Sequence, residues 1–147
     1  MTEIDFYIVD AAAPDAHFVF ACRLAEKAVD LGRNVLIRPP TRGDARRLDE
    51  LLWTYSQGSF RPHRLVSNAG AAPIEPVLID DGPGPSGDPA ADRWDLLINL
   101  GADVPDYFSR YARLAEIVDG ERRDEGRERY RFYRDRGYAL KTHQIRV

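Results

Sequence analysis

Ile4-Asp5-Phe6-Tyr7-Ile8-Val9, closed by Asp10, is short, aromatic and β-branched, and it gives way to an alanine-proline turn at Ala11-Ala12-Ala13-Pro14. Such a run predicts a strand, expected in the middle of a sheet. After Pro14-Asp15, the residues Phe18, Ala21, Cys22, Ala25, Ala28 and Val29 recur three and four apart, the apolar stripe of an amphipathic helix that should end at Gly32. Asn34-Val35-Leu36-Ile37-Arg38 then makes a second short strand, stopped by Pro39-Pro40. Strand, helix, strand in this order predicts a parallel pair joined by a crossover, and hence an α/β fold.

The rest of the chain continues the alternation. Thr41 can cap a second helix whose apolar positions Leu48, Leu51, Leu52 and Tyr55 keep the helical period, with Ser56-Gln57-Gly58-Ser59 closing it. Val77-Leu78-Ile79 and Leu96-Leu97-Ile98-Asn99-Leu100 read as buried strands, the second a nearly continuous apolar run. Between them, the proline and glycine tract from Gly82 to Pro89 holds neither ladder nor helix, and a mobile surface loop is expected over about 80–93. A short helix is expected between Pro105 and Tyr111, a strand at Leu114-Ala115-Glu116-Ile117-Val118, and a long basic helix over about 122–136 ending at Gly137. Residues 138–147 are expected to form an extended tail or edge strand. The expectation is one α/β domain over 1–147, with a mostly parallel central sheet flanked by helices and a nucleotide-binding-like topology.

Composition agrees with one globular domain. The chain has 147 residues, 44% hydrophobic and 31% charged, with two tryptophans and thirteen other aromatic residues, enough apolar material for a single core. No apolar run approaches the roughly 18 residues of a membrane span. The N-terminus lacks the basic start and apolar stretch of a secretory signal, so a cytoplasmic location without membrane contact is expected. The single Cys22 reads as a small core residue.

Chemistry is harder to find than fold. The first turn, Asp10-Ala11-Ala12-Ala13-Pro14-Asp15, has no glycine to admit a pyrophosphate and carries two carboxylates that would repel one. A phosphate-loop signature is absent. His17, His63 and His143 are scattered and have no partner at metal-ligand spacing, and no serine sits in a glycine-flanked elbow. These observations predict no cofactor, no metal and no catalytic residues.

Charge is unevenly distributed. Met1–Gly120 holds 12 basic and 19 acidic residues, a net −7, whereas Glu121–Val147 holds 9 basic and 5 acidic, a net +4. An acidic body argues against a broad nucleic-acid surface. Within the basic end, Arg127, Tyr130, Arg131 and Arg134 fall at i, i+3, i+4 and i+7 and share one helical face, while Phe132 or Tyr133 should anchor the helix. Such a face suits single-stranded nucleic acid, through stacking and phosphate contact, or an acidic, aromatic-ended peptide. A solvated helix with arginines paired to Asp124, Glu128 and Asp135 has the same spacing. Spacing alone does not choose among them.

The segment Arg127-Glu128-Arg129-Tyr130-Arg131-Phe132-Tyr133-Arg134 resembles the C-terminal helix motif of the chi subunit family of the bacterial DNA polymerase III holoenzyme. Phe6-Tyr7-Ile8-Val9-Asp10, Gly32-Arg33-Asn34-Val35-Leu36-Ile37, Arg47-Leu48-Asp49-Glu50-Leu51-Leu52-Trp53, Ser59-Phe60-Arg61-Pro62-His63 and Asp95-Leu96-Leu97-Ile98-Asn99-Leu100 agree in kind and order. The resemblance implies a clamp-loader accessory without catalysis of its own. It implies two partners: the psi subunit, and the acidic C-terminal tail of single-stranded DNA-binding protein. Contact with DNA would then be indirect. Arg127, Tyr130 and Arg131 match the family's tail-binding positions and Arg134 continues the face, whereas Phe60, Pro62 and His63 match the psi-binding region, where a helicase is a second implied occupant. The chain departs from the family in a shorter connection between Asp119 and Arg127, with Gly126 abutting the motif.

Overall fold

A computed structural model describes residues 1–10, 13–54, 62–68, 74–81 and 93–146. Among the described residues, seven strands form one sheet: β1 (Glu3–Asp10), β2 (Val35–Arg38), β3 (His63–Leu65), β4 (Val77–Ile79), β5 (Leu96–Asn99), β6 (Arg113–Asp119) and β7 (Leu140–Arg146). Their order is β3-β4-β2-β5-β6-β1-β7, and all six pairings are parallel. The helices α1 (Ala16–Asp30), α2 (Arg42–Thr54) and α3 (Arg123–Asp135) supply cover.

Two expectations are corrected. β1 and β2 are parallel but do not pair, because β5 and β6 lie between them. Nor is β1 at the middle of the sheet: the chain after α3 returns to pair along its outer side as β7, leaving β1 one strand from the edge. Strand–helix–strand order constrains direction but not which later strands are inserted. The short helix expected before Tyr111 is a single 3-10 turn, Phe108–Arg110. Tyr55, the residues expected to close α2, Phe60 and the Gly82–Pro89 tract lie outside the described residues.

Side chains alternate along each strand, so the sheet has two apolar faces. Val9, Val35, Ile37, Ile79, Ile98 and Ile117 pack with the stripes of α1 and α2. Ile4, Phe6, Leu36, Leu97, Leu114 and Val118 pack on the other face with Phe108, Tyr111 and Tyr133. Strands β2, β4 and β5 are apolar on both sides, which is why they read as continuous runs. Cys22 is fully buried in the first layer, and burial pushes its thiol up to about 12.

The helix ends follow local chemistry. Thr41 Oγ1 accepts the Asp44 amide at 3.1 Å, capping α2. At the end of α1, Gly32 (φ 78°) donates to Val29 O and Arg33 to Ala28 O. Gly137 (φ 84°) and Tyr138 close α3 likewise onto Arg134 O and Tyr133 O. Both closures need a left-handed residue, which glycine supplies without strain.

Candidate functional site

α3 is held to the sheet by a polar cluster inside an otherwise apolar layer. Glu116, on β6, is 0% exposed. Arg129 donates Nε–H to its Oε1 at 2.9 Å, Asn99 Nδ2 donates to both carboxylate oxygens at 2.9 and 3.1 Å, and Tyr133 donates its hydroxyl to Oε2. Arg129 also reaches Ala102 O at 3.0 Å, and Arg38 extends the cluster by donating to Asn99 Oδ1 and Asp103 Oδ1. Burial pushes the Glu116 carboxyl above its ordinary range, against the opposing charge of Arg129 and three sets of hydrogen bonds. Burial, reinforced by Glu116, likewise raises the Tyr133 phenol.

Anchoring fixes the opposite side of the helix. Arg127, Arg131 and Arg134 are exposed, and Tyr130 is half-buried with its ring edge-on to Phe6 at 5.3 Å. Beside Tyr130 lies a slot of about 150 Å³, lined by Phe6, Ile8, Val118 and Gly126, with Arg123, Arg127 and Thr142 as its polar lining. Gly126 allows this arrangement, because a Cβ there would stand 2.9 Å from both Val118 methyl groups. A dry apolar cavity of about 150 Å³ is enough to take a benzene ring. Guanidinium groups beside it supply forked donors for carboxylates.

The expected face is therefore only partly assembled into the slot. Arg127 and Tyr130 line it, while Arg131 and Arg134 continue along the exposed helix outside it. Arg127 pairs with Asp124 at 3.1 Å and Arg134 with Asp135 at 3.2 Å, both between exposed groups. Arg123 was missed by sequence reasoning, although its position one turn before Arg127 puts it on the same face. It chelates both Asp10 oxygens at 2.8 and 2.7 Å and reaches Gly120 O at 3.0 Å. The connection after Asp119 is one 3-10 turn, Gly120–Arg122, leading straight into α3. Phe6, Ile8 and Thr142 had no signal of their own, since strands distant in sequence bring them here.

The second expected surface lies at the other edge of the sheet. Phe60 is outside the described residues, and Pro62, immediately before β3, is exposed. His63 is buried: its ring packs 4.3 Å from Trp53 and its Nε2 lies 3.1 Å from Asp49 O. Trp53 itself is 44% exposed.

At the C-terminal ends of the strands, where such sheets take phosphates, a cavity of about 370 Å³ includes Asp15, Asp44, Asp119 and Glu125 in its lining, with Arg122 and Arg129. Asp15 is paired there with Arg47 of α2. Four carboxylates disfavour a polyphosphate at this position.

Comparison with known proteins gives concordant matches. The family model of the DNA polymerase III chi subunit, HolC, matches residues 1–141. The DNA polymerase III subunit chi of Pseudomonas aeruginosa is 36% identical over 147 residues, covering 99% of this chain and 98% of the relative. Its counterpart in Haemophilus influenzae is 31% identical over 142 residues, covering 95% of each. That of Escherichia coli is 31% identical over 125 residues, covering 82% of this chain and 80% of the relative.

Proposed function

The chain belongs to the DNA polymerase III chi subunit family, and from that premise we propose that it is a replication adaptor without catalysis of its own. One surface takes the acidic C-terminal tail of single-stranded DNA-binding protein, and the other takes the psi subunit of the clamp loader. The observation that carries this reading is the slot beside Tyr130, with Arg127 and Arg123 in its lining. A peptide ending in a phenylalanine preceded by aspartates complements it: the ring enters the apolar slot, and the terminal carboxylate and side-chain carboxylates meet guanidinium donors. Burying such a ring is worth roughly 1.5–3 kcal/mol, and each charged hydrogen bond a similar amount.

Psi is assigned to the opposite edge, where Pro62 is exposed and the Trp53 ring packs 4.3 Å from His63, and Phe60 is proposed as a further psi-binding residue from its place in the sequence. A helicase remains the second candidate for that edge. Placement at opposite sheet edges, β7 and β3, lets both partners be held at once, as a tether requires.

Fluorescence anisotropy with a labelled acidic peptide ending in phenylalanine tests the tail site. Deleting the terminal phenylalanine should weaken binding by roughly ten- to a hundredfold, given 1.4 kcal/mol per tenfold. Arg127→Ala and Tyr130→Ala should each weaken it comparably. Unchanged affinity in both variants removes the assignment. Strong binding of a labelled single-stranded oligonucleotide at physiological salt, without response to the peptide, would replace it with a nucleic-acid-binding function.

A further inference from the structure

We propose that the acidic peptide binds as an eighth strand, adding its main chain to the open edge of β7 while its terminal ring occupies the slot beside Tyr130. This deepens the tail-binding reading and rests on it.

β7 pairs with β1 over all seven of its residues and, among the described residues, with no strand on its other side. The opposite edge, β3, has only three residues. A seven-residue parallel edge presents a row of outward main-chain donors and acceptors, the template an extended peptide completes.

Thr142 joins this edge to the slot. It stands in register with Phe6 and lines the same cavity. A strand added to β7 would run about 4.8 Å from it, which brings the ligand's terminal side chain over the small Thr142 and toward Phe6 and Tyr130. A bulky residue at this position would block that approach.

The edge selects its occupant by charge. Lys141 and Arg146 are exposed along β7, and Arg127 and Arg131 are exposed on the adjacent helix. Pairing of β7 with β7 of a second copy would set these cations against each other, whereas an acidic strand neutralises them. The strand is also ready-made. His143, on the face away from the slot, contacts Asp5 Oδ1 at 2.9 Å and stacks on Tyr7 at 4.8 Å, fixing β7 to β1 before any ligand arrives.

Strand addition predicts a pattern that slot binding alone does not. Only alternate amides of an added strand face the edge. Single N-methylation along the phenylalanine-ended acidic peptide should therefore lower affinity at least tenfold at every second residue and by less than threefold between them. Hydrogen exchange of amides within 140–146 should slow at least tenfold on saturation with the unmodified peptide. Binding that still depends on Arg127 and Tyr130, but shows neither alternation nor β7 protection, overturns strand addition and leaves the slot reading intact. A peptide that does not bind at all removes both.

Discussion

Arg129 and Glu116 join α3 to β6 across the interior, Nε to Oε1 at 2.9 Å, with the two side chains 5% and 0% exposed. Arg127, two residues earlier on the same helix, is solvent-exposed. Removing one partner of a buried pair leaves the other charge without compensation, at a cost of roughly 3–5 kcal/mol. Glu116→Ala should therefore lower the urea midpoint by an amount equivalent to that loss. Glu116→Leu combined with Arg129→Met should recover most of it, because no charge then remains buried. A double variant as unstable as Glu116→Ala would show that the hydrogen bonds lost by Asn99 and Tyr133, not the buried charge, set the cost.

Gly126 tests how closely the helix must approach the sheet. Alanine would gain about 1 kcal/mol in helix propensity, but its Cβ would meet both Val118 methyl groups at 2.9 Å, an overpacking typically worth about 1–3 kcal/mol. Gly126→Ala should destabilise the protein and weaken the acidic peptide, since Gly126 and Val118 both line the slot. In a Val118→Ala background the same substitution should be neutral or stabilising, a coupling within the roughly 0.5–3 kcal/mol range of contacting residues. Additive effects on the two backgrounds would rule out the contact as the cause.

Much of this architecture was legible before the structure. The stripes of α1 and α2, the continuous strands and the glycine closures at Gly32 and Gly137 are local signals, and local periodicity carries them. Strand order is not local: nothing in residues 4–38 announces that β5 and β6 will separate β1 from β2. The site divides the same way. Arg127, Tyr130, Arg131 and Arg134 share a face by spacing alone, but spacing cannot tell which of them border a cavity. That depends on Phe6, Ile8, Val118 and Thr142, contributed by three strands. Glu116 was a visible exception, a carboxylate inside the otherwise apolar run Leu114–Val118, and such a residue calls for a buried cation. Arg129, in the middle of the basic motif, is that cation, and its spacing alone did not set it apart from its exposed neighbours.

His17 gives the protein a pH-dependent term near the strand C-termini. Burial depresses its pKa below the ordinary 6.5, although Asp119, Asp15 and Asp44 pull the other way and Arg122 adds to the depression. A histidine depressed in the folded state takes up its proton more readily in the unfolded chain. Its stabilising contribution is thus fully present above pH 6.5 and declines as the pH falls through the folded value. Stability measured by urea unfolding from pH 7.5 to 5 should fall less steeply in His17→Gln than in the parent. Parallel profiles would assign the acid sensitivity to other groups.

Arg127 and Arg134 should separate contact from field. Arg127 lines the slot, whereas Arg134 lies outside it and pairs with Asp135 at an exposed site. A guanidinium that hydrogen-bonds the ligand keeps much of its effect when salt is added, because the contact is direct. One that acts at a distance is screened, the Debye length shrinking from about 8 Å at physiological ionic strength to about 3 Å at 1 M. Arg127→Ala should weaken the acidic peptide at least tenfold at physiological salt, and a clear difference from the parent should persist at 0.5 M. Arg134→Ala should cost about threefold at low salt and become indistinguishable from the parent at 0.5 M. Titrations across salt read both slopes at once. Equal losses with equal salt dependence would mean that the tail lies along the whole helix face instead of ending in the slot.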